Sequence, residues 1–163
     1  MPLTPEIFKA YDIRGLYPSE IDEATARLIG RGFVAYLKAT RIGVTRDMRL
    51  SSPGVAAAFI EGAREQGADV VDYGMCATDM MYFAVVRDGL DGGAQITASH
   101  NPGRYNGIKM VRAEALPLSG KASRRTILMP LYPFGLCEAV ICTPPSSPSR
   151  ATAKYIMSVP IMP

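Results

Sequence analysis

A single serine among turn-forming residues is the most chemically suggestive feature of this chain of 163 residues. Ser99 lies in "ITASHNPGRYNGIK", residues 96–109, and is followed by the only histidine, His100, and by an Asn-Pro pair at 101–102. Ile96 and Thr97 are predicted to end a strand, and Asn-Pro pairs favour turns. We therefore expect Ser99 on a loop just beyond the carboxyl end of a strand, where open α/β sheets place their ligand chemistry.

The residues around Ser99 do not match a serine hydrolase or a P-loop. Ser99 is flanked by Ala98 and His100 rather than by the pattern of a nucleophile elbow, and no P-loop motif occurs in the chain. Chain neighbours diverge in direction, which disfavours a catalytic triad between Ser99 and His100. A phosphoryl group on Ser99 is the better hypothesis, because a phosphoserine carries about −1.5 to −2 charges and needs cations and donors around it.

Four groups are candidates for that role. They are His100, the amide of Asn101, Lys109 and, far away in sequence, Arg14 of "FKAYDIRG", where the next residue is a glycine that permits a sharp turn. Each residue also has an ordinary interpretation: Ser99 as a turn serine, Lys109 as a solvated lysine, and Arg14 as part of a surface turn.

Strand and helix patterns alternate at short spacing through the first 120 residues. This alternation predicts an α/β fold, a single three-layer domain in which a mixed, mainly parallel sheet lies between helices. The last two strands have no helix between them and are expected to be antiparallel, with Asn106-Gly107 as a tight reversal. The expected N-caps are Ser51 or Ser52 for the second helix and Thr78 or Asp79 for the third. The predicted helices are 20–39, 53–67 and 79–89, and the predicted strands are 41–44, 69–74, 93–99 and 107–113.

The composition changes near Gly120. Residues 1–120 carry 13 Lys and Arg against 14 Asp and Glu, whereas residues 121–163 carry five against one and hold seven of the 13 prolines. Prolines interrupt the apolar pieces of the second segment before a helix of ordinary length can form. We therefore predict a folded domain over 1–120 and a Pro-rich, weakly structured tail over 121–163.

Hydropathy, cysteine content and charge limit the kinds of protein that this chain is expected to be. No apolar run approaches the roughly 20 residues of a membrane helix, and the N-terminus lacks the pattern of a secretory signal. The three cysteines, Cys76, Cys137 and Cys142, lack metal-ligand spacing and are interpreted as reduced thiols. The basic residues of the tail form no cluster for nucleic acid or anionic lipid. We expect a cytoplasmic monomer that binds neither nucleic acid nor membranes.

Two motifs resemble a known family. "FKAYDIRG" at 8–15 and "TASHNPGRYNGIK" at 97–109 closely resemble the bacterial phosphomannomutase/phosphoglucomutase branch of the α-D-phosphohexomutases, and the likeness extends over about 6–120. These enzymes move a phosphoryl group between C1 and C6 of a hexose phosphate through a bisphosphorylated sugar. The resemblance implies Mg²⁺ as cofactor and glucose or mannose bisphosphate as activator.

The resemblance also implies roles for individual residues. Ser99 matches the serine that carries the phosphoryl group and whose phosphate oxygen binds Mg²⁺. Lys109 matches a general acid/base near the sugar hydroxyl, and Arg14 matches an arginine close to the phosphoserine. His100 and Asn101 match neighbours that shape the site. Asn101, Arg14 and Lys109 are accordingly the expected phosphate- and substrate-binding residues.

The chain also departs from the family pattern. The acidic D-G-D-x-D-R loop that supplies the other Mg²⁺ ligands is absent, as are the later domains that read the sugar. The expectation is therefore a fragment that is inactive by itself, and the alternative is a non-catalytic remnant that binds phosphate or sugar phosphate weakly. Asp12 and Asp47 lie in the motif loops, and we expect them to be solvated or paired with arginines rather than to replace the missing carboxylates.

Overall fold

Alternating strands and helices occupy residues 5–118, the part of the chain that the computed structural model describes. Each predicted helix and strand is present, and two further short strands were not predicted. In chain order the elements are β1 (Ile13–Leu16), α1 (Glu23–Leu37), β2 (Arg41–Arg46), α2 (Ser52–Glu65), β3 (Asp69–Met75), α3 (Thr78–Arg87), β4 (Gly92–Ile96), β5 (Tyr105–Arg112) and β6 (Leu116–Pro117).

The sheet is mixed, with the order β1-β5-β4-β2-β3 and with β6 paired to β5. β2 runs parallel to both β3 and β4, whereas β5 runs antiparallel to β4, β1 and β6. The antiparallel arrangement of the last two predicted strands is confirmed. Five of the six strands described among residues 5–118 run in the same direction and β5 runs opposite to them, so the expected mixed, mainly parallel sheet is confirmed. β1 and β6 are too short to show a strand pattern in sequence, and both join β5.

Helices cover both faces of the sheet, which confirms the three-layer architecture. Ile42, Val44 and Ile96 point to the face of α1 and α2, where Phe33 and Phe59 pack with ring centroids 6.0 Å apart. The opposite face is covered by α3. There Gly43 of β2 and Gly93 of β4 leave room for larger side chains, namely Tyr73, Met81, Val85 and Leu90.

The helix starts only partly follow the predicted caps. Asp22 caps α1 by accepting a hydrogen bond of 2.7 Å from the backbone N–H of Thr25. Ser51 occupies the N-cap position of α2 without a side-chain cap bond, because its hydroxyl contacts Asn106 instead. Ala77, rather than Thr78 or Asp79, precedes α3, so that prediction is wrong.

Two predictions fall outside the described part of the chain. The tail of 121–163 and the thiols of Cys137 and Cys142 are among the residues that the structure does not describe. Within residues 5–118, no helix combines the length and the apolar character needed to cross a membrane.

Candidate active site

Ser99 lies on a loop that follows β4, as the sequence predicts. Its side chain and that of His100 are exposed at the edge where the parallel strands β2 and β4 end. The backbone of Ser99 is left-handed, with a φ of 54°, and its N–H donates to Thr97 Oγ1 at 2.9 Å. Non-glycine residues adopt this conformation uncommonly, and they keep it where the surroundings fix the backbone.

The Ser99 loop, defined here as residues 97–105 and so including Tyr105, the first residue of β5, is held by several hydrogen bonds. Both the backbone N–H and the side-chain amide of Asn101 donate to the carbonyl of Ala98, at 3.1 and 2.8 Å. The Asn101 side chain is therefore engaged in shaping the loop. Arg49, which the sequence analysis did not single out, donates to four carbonyls between Ser99 and Tyr105.

Asn106-Gly107 is not a tight reversal, and that prediction is wrong. Both residues lie inside β5 and are buried. The Asn106 amide donates to Ser51 Oγ at 2.8 Å, which anchors the strand to the start of α2. A methyl group at Gly107 would overlap the carbonyl oxygen of Ile13 and lie 2.8 Å from that of Thr97. The glycine is needed for close approach of the neighbouring backbones rather than for a turn.

Arg14 lies in β1, directly opposite Gly107 of β5. Its neighbour Gly15 also lies in this strand and makes no turn, since it pairs with Asn106. The guanidinium of Arg14 binds Asp12 at 2.5 Å, and its Nε is buried with no hydrogen-bond partner among residues 5–118. An arginine with a free buried donor at the edge of a sheet is suited to receive an anion.

The strand register places Arg14 and Lys109 on the same face of the sheet. Ile13 and Ile108 are opposite each other and belong to the core under α1 and α2, so the residues that follow them both point to the α3 side. Lys109 is half-buried on β5, opposite Gln95 of β4. Gly107 of β5 lies between Arg14 of β1 and Thr97 at the start of the Ser99 loop. Because neighbouring strands are about 4.8 Å apart, the backbones of Arg14 and Thr97 are separated by only two strand spacings.

The two carboxylates of the motif loops are paired with arginines, as expected. Asp12 binds Arg14, and Asp47 binds Arg49 Nε at 3.1 Å. Cys76 follows β3 near the same edge of the sheet, but burial, together with Asp79 and Asp72, raises the pKa of its thiol. A raised pKa lowers the thiolate fraction, so Cys76 is a poor nucleophile compared with an activated cysteine.

The fold and these motifs agree with one known domain. The family model described as "Phosphoglucomutase/phosphomannomutase, alpha/beta/alpha domain I" matches residues 5–128. The chain belongs to this family. The Ser99 loop therefore follows the carboxyl end of β4 in a phosphoglucomutase/phosphomannomutase domain I.

Individual relatives support the family assignment. A phosphomannomutase of Klebsiella pneumoniae is 46% identical over 120 residues, which are 74% of this chain and 76% of that protein. A phosphomannomutase of Escherichia coli is also 46% identical over 120 residues, but these are only 26% of its length. The crystal structure of a phosphoglucomutase/phosphomannomutase family protein from Burkholderia thailandensis superposes with a TM-score of 0.72 at 35% identity, covering 80% of this chain and 31% of that one.

Among residues 5–118, no group of three or more His, Cys, Asp and Glu side chains is placed to hold a metal ion. Mg²⁺ prefers near-octahedral oxygen coordination, and Ser99 offers one oxygen. The role of Ser99 as a metal ligand therefore stays a prediction.

Replacing Asn106 should show how firmly the site is anchored. We expect Asn106→Ala to lower the free energy of unfolding by about 2 kcal/mol, because it removes a fully buried amide and leaves polar partners near Ser51 unsatisfied. Urea denaturation measures the change. Gln66→Ala, an exposed change at the end of α2, is the control, and equal stability of the two variants would contradict the anchoring role.

Proposed function

We propose that this chain is the phosphoryl-carrying domain of a phosphohexomutase, an enzyme that interconverts hexose 1-phosphate and hexose 6-phosphate of mannose or glucose. In this proposal Ser99 exchanges its phosphoryl group with the sugar, which passes through a bisphosphorylated form. The observation that carries the proposal is the left-handed, exposed Ser99 on a tied loop beyond β4 of a family domain I.

The neighbouring residues suit that chemistry. In the forward step, Ser99 Oγ forms a bond to the phosphorus of a hexose bisphosphate while the bond from phosphorus to the sugar oxygen breaks. The hydroxyl proton leaves Ser99, and the released sugar oxygen gains one. We assign the proton transfer at the sugar to Lys109 and charge neutralisation of the phosphoryl group to Arg14, whose Nε has a free donor. His100 and Asn101 complete the loop around the phosphoryl group.

A second candidate is a domain that binds phosphate without transferring it. The observation that favours it is Arg14, whose buried Nε has no hydrogen-bond partner among residues 5–118 and can bind an anion without transferring it. In this alternative Arg14 and the Ser99 loop bind inorganic phosphate or a sugar phosphate weakly, and no phosphoryl group becomes covalently attached to the serine.

Covalent phosphorylation of Ser99 separates the two candidates. We expect the purified chain, incubated with glucose 1,6-bisphosphate and Mg²⁺, to gain one phosphoryl group, detected by intact mass and mapped to Ser99 by peptide sequencing. Ser99→Ala should gain none. Ser19→Ala removes another exposed serine and should behave as the unmodified chain does. If the unmodified chain gains no phosphoryl group but binds phosphate, the second candidate is correct.

A further inference from the structure

Arg49 follows a strand on a loop, yet its charged side chain is mostly buried. It lies just past β2, and its side chain is only 13% exposed. Asp47 holds it from one side: one carboxylate oxygen accepts from Arg49 Nε at 3.1 Å and the other from the Arg49 backbone N–H at 3.0 Å. The same carboxylate also accepts a 2.5 Å hydrogen bond from the hydroxyl of Ser52, so the pair is tied to the start of α2.

The other side of the Arg49 guanidinium faces only the backbone of the Ser99 loop. Nη2 donates to the carbonyls of Ser99 and Asn101, at 3.0 and 2.7 Å. Nη1 donates to the carbonyls of Pro102 and Tyr105, at 2.9 and 3.1 Å. The planar guanidinium therefore donates hydrogen bonds to four carbonyls within a stretch of seven residues. Among the side chains, only arginine has donors in that fixed planar arrangement.

Because Arg49 fixes the direction of these carbonyls, it also fixes the direction of the N–H groups that follow them in the loop. In a planar trans peptide the C=O and the following N–H point in opposite directions. The N–H of His100 therefore points away from Arg49, as does the N–H of Gly103, and neither donates to an acceptor within residues 5–118. Pro102 has no N–H. Free backbone donors of this kind attract anionic oxygens.

The left-handed backbone of Ser99 gives Arg49 an energetic role. A left-handed non-glycine residue is disfavoured and persists when surrounding contacts fix it. At Ser99 those contacts are the Thr97 hydroxyl, which accepts from its N–H, and Arg49, which donates to its carbonyl. Hydrogen bonds from a charged guanidinium are stronger than those between neutral groups. The bond from Arg49 therefore stabilises the left-handed backbone of Ser99 more than the bond to Thr97 does.

We propose that Arg49 is the positioning residue of the Ser99 loop: it fixes the left-handed serine and turns the His100 N–H toward an incoming phosphoryl group. The phosphoryl part of this inference rests on the function proposed above, whereas the loop part does not. Arg49 acts through the backbone and does not itself touch the phosphoryl group.

The experiment compares Arg49→Lys with Arg46→Lys, a matched change in β2 whose side chain lies next to Asp72 and makes no hydrogen bond to the Ser99 loop. Amide hydrogen exchange of the full chain is followed by NMR. We expect exchange at Asn101 and Tyr105, whose N–H groups bond within the loop, to be about tenfold faster or more in Arg49→Lys and unchanged in Arg46→Lys. Amides of β4 and α1 should be unchanged in both variants and report that the domain remains folded.

Unchanged exchange in the loop, or faster exchange throughout the domain, would overturn the proposal. If Arg49→Lys does not fold, Arg49→Ala is measured with and without a low, non-denaturing concentration of guanidinium. Restored protection of Asn101 and Tyr105 by guanidinium supports the proposal, and its absence overturns it.

Phosphoryl uptake at Ser99 from glucose 1,6-bisphosphate tests the remaining link. We expect an initial rate about tenfold lower or more in Arg49→Lys, and a rate in Arg46→Lys like that of the unmodified chain. Equal rates in all three would overturn the phosphoryl part. If the unmodified chain takes up no phosphoryl group, the proposed function fails, while the exchange measurement still decides whether Arg49 positions the loop.

Discussion

Gly62→Ala is expected to lower the free energy of unfolding by about 3 kcal/mol, because α1 and α2 cross with backbone against backbone. A methyl group at Gly62 would overlap the carbonyl oxygen of Arg27 in α1 and lie 2.8 Å from the carbonyl carbon. The reverse contact is equally close, since a methyl group at Gly30 would overlap the carbonyl oxygen of Phe59. Backbone atoms on both sides leave no flexible side chain to move away.

Gly54→Ala is the matched control in the same helix. Its added methyl group would meet only the end of the exposed Glu23 side chain, 2.8 Å from Oε1, which can rotate away at the loss of one exposed hydrogen bond from Tyr17. Alanine is favoured over glycine in helices by about 1 kcal/mol, so this variant should be as stable as the unmodified chain or slightly more stable. Urea denaturation compares the two. Equal midpoints for Gly62→Ala and Gly54→Ala would show that the helices separate without cost.

Most of the fold could be predicted because burial leaves a periodic signal along the chain. The helix predicted over 20–39 contains α1, and the one predicted over 53–67 covers all but the first residue of α2, whose Val55 and Phe59 face the core. The short apolar run at 41–44 similarly gave β2, buried on both faces. In each case the apolar residues follow the period of the element that buries them.

The segments that were predicted wrongly are those whose structure is determined by residues far away in the sequence. Asn106-Gly107 has the composition of a turn, yet here Asn106 bonds to Ser51 and Gly107 fits between Ile13 and Thr97. β1 has only four residues, and it is a strand because β5 lies beside it. A local rule describes neither case, because the contacts with Ser51, Ile13 and β1 span more than fifty residues.

The same distinction applies to the candidate site. The placement of Ser99 follows from the strand before it and the Asn-Pro after it, so the sequence predicts the loop correctly. Arg49 could not be found in this way, because its partners are backbone carbonyls, which every residue type provides. The nearest local sign is the pairing with Asp47, which the sequence suggested only as an unspecified arginine contact. The roles of Lys109 and Arg14 in one shared site stay predictions.

Turnover by the purified 163-residue chain is expected to lie at least about a thousandfold below that of a full-length relative, because positioning of the substrate supplies much of the catalysis of phosphoryl transfer. Ser99 and His100 are exposed, so a sugar phosphate bound beside them would remain in contact with water. The described residues also bring no cluster of carboxylates to the serine. In the proposed function, the described part of domain I carries the phosphoryl group but has little surface to hold the sugar.

The measurement couples conversion of glucose 1-phosphate or mannose 1-phosphate to a dehydrogenase assay, with Mg²⁺ and the hexose bisphosphate present. Full-length Escherichia coli phosphomannomutase, 46% identical over the shared 120 residues, is the positive control. Ser99→Ala of this chain sets the background. Phosphorylation of Ser99 without turnover would separate the two halves of the reaction, the exchange at the serine and the reorientation of the sugar. Turnover near that of the full-length enzyme, lost in Ser99→Ala, would instead show that a single exposed loop can bind, turn and protect the sugar phosphate.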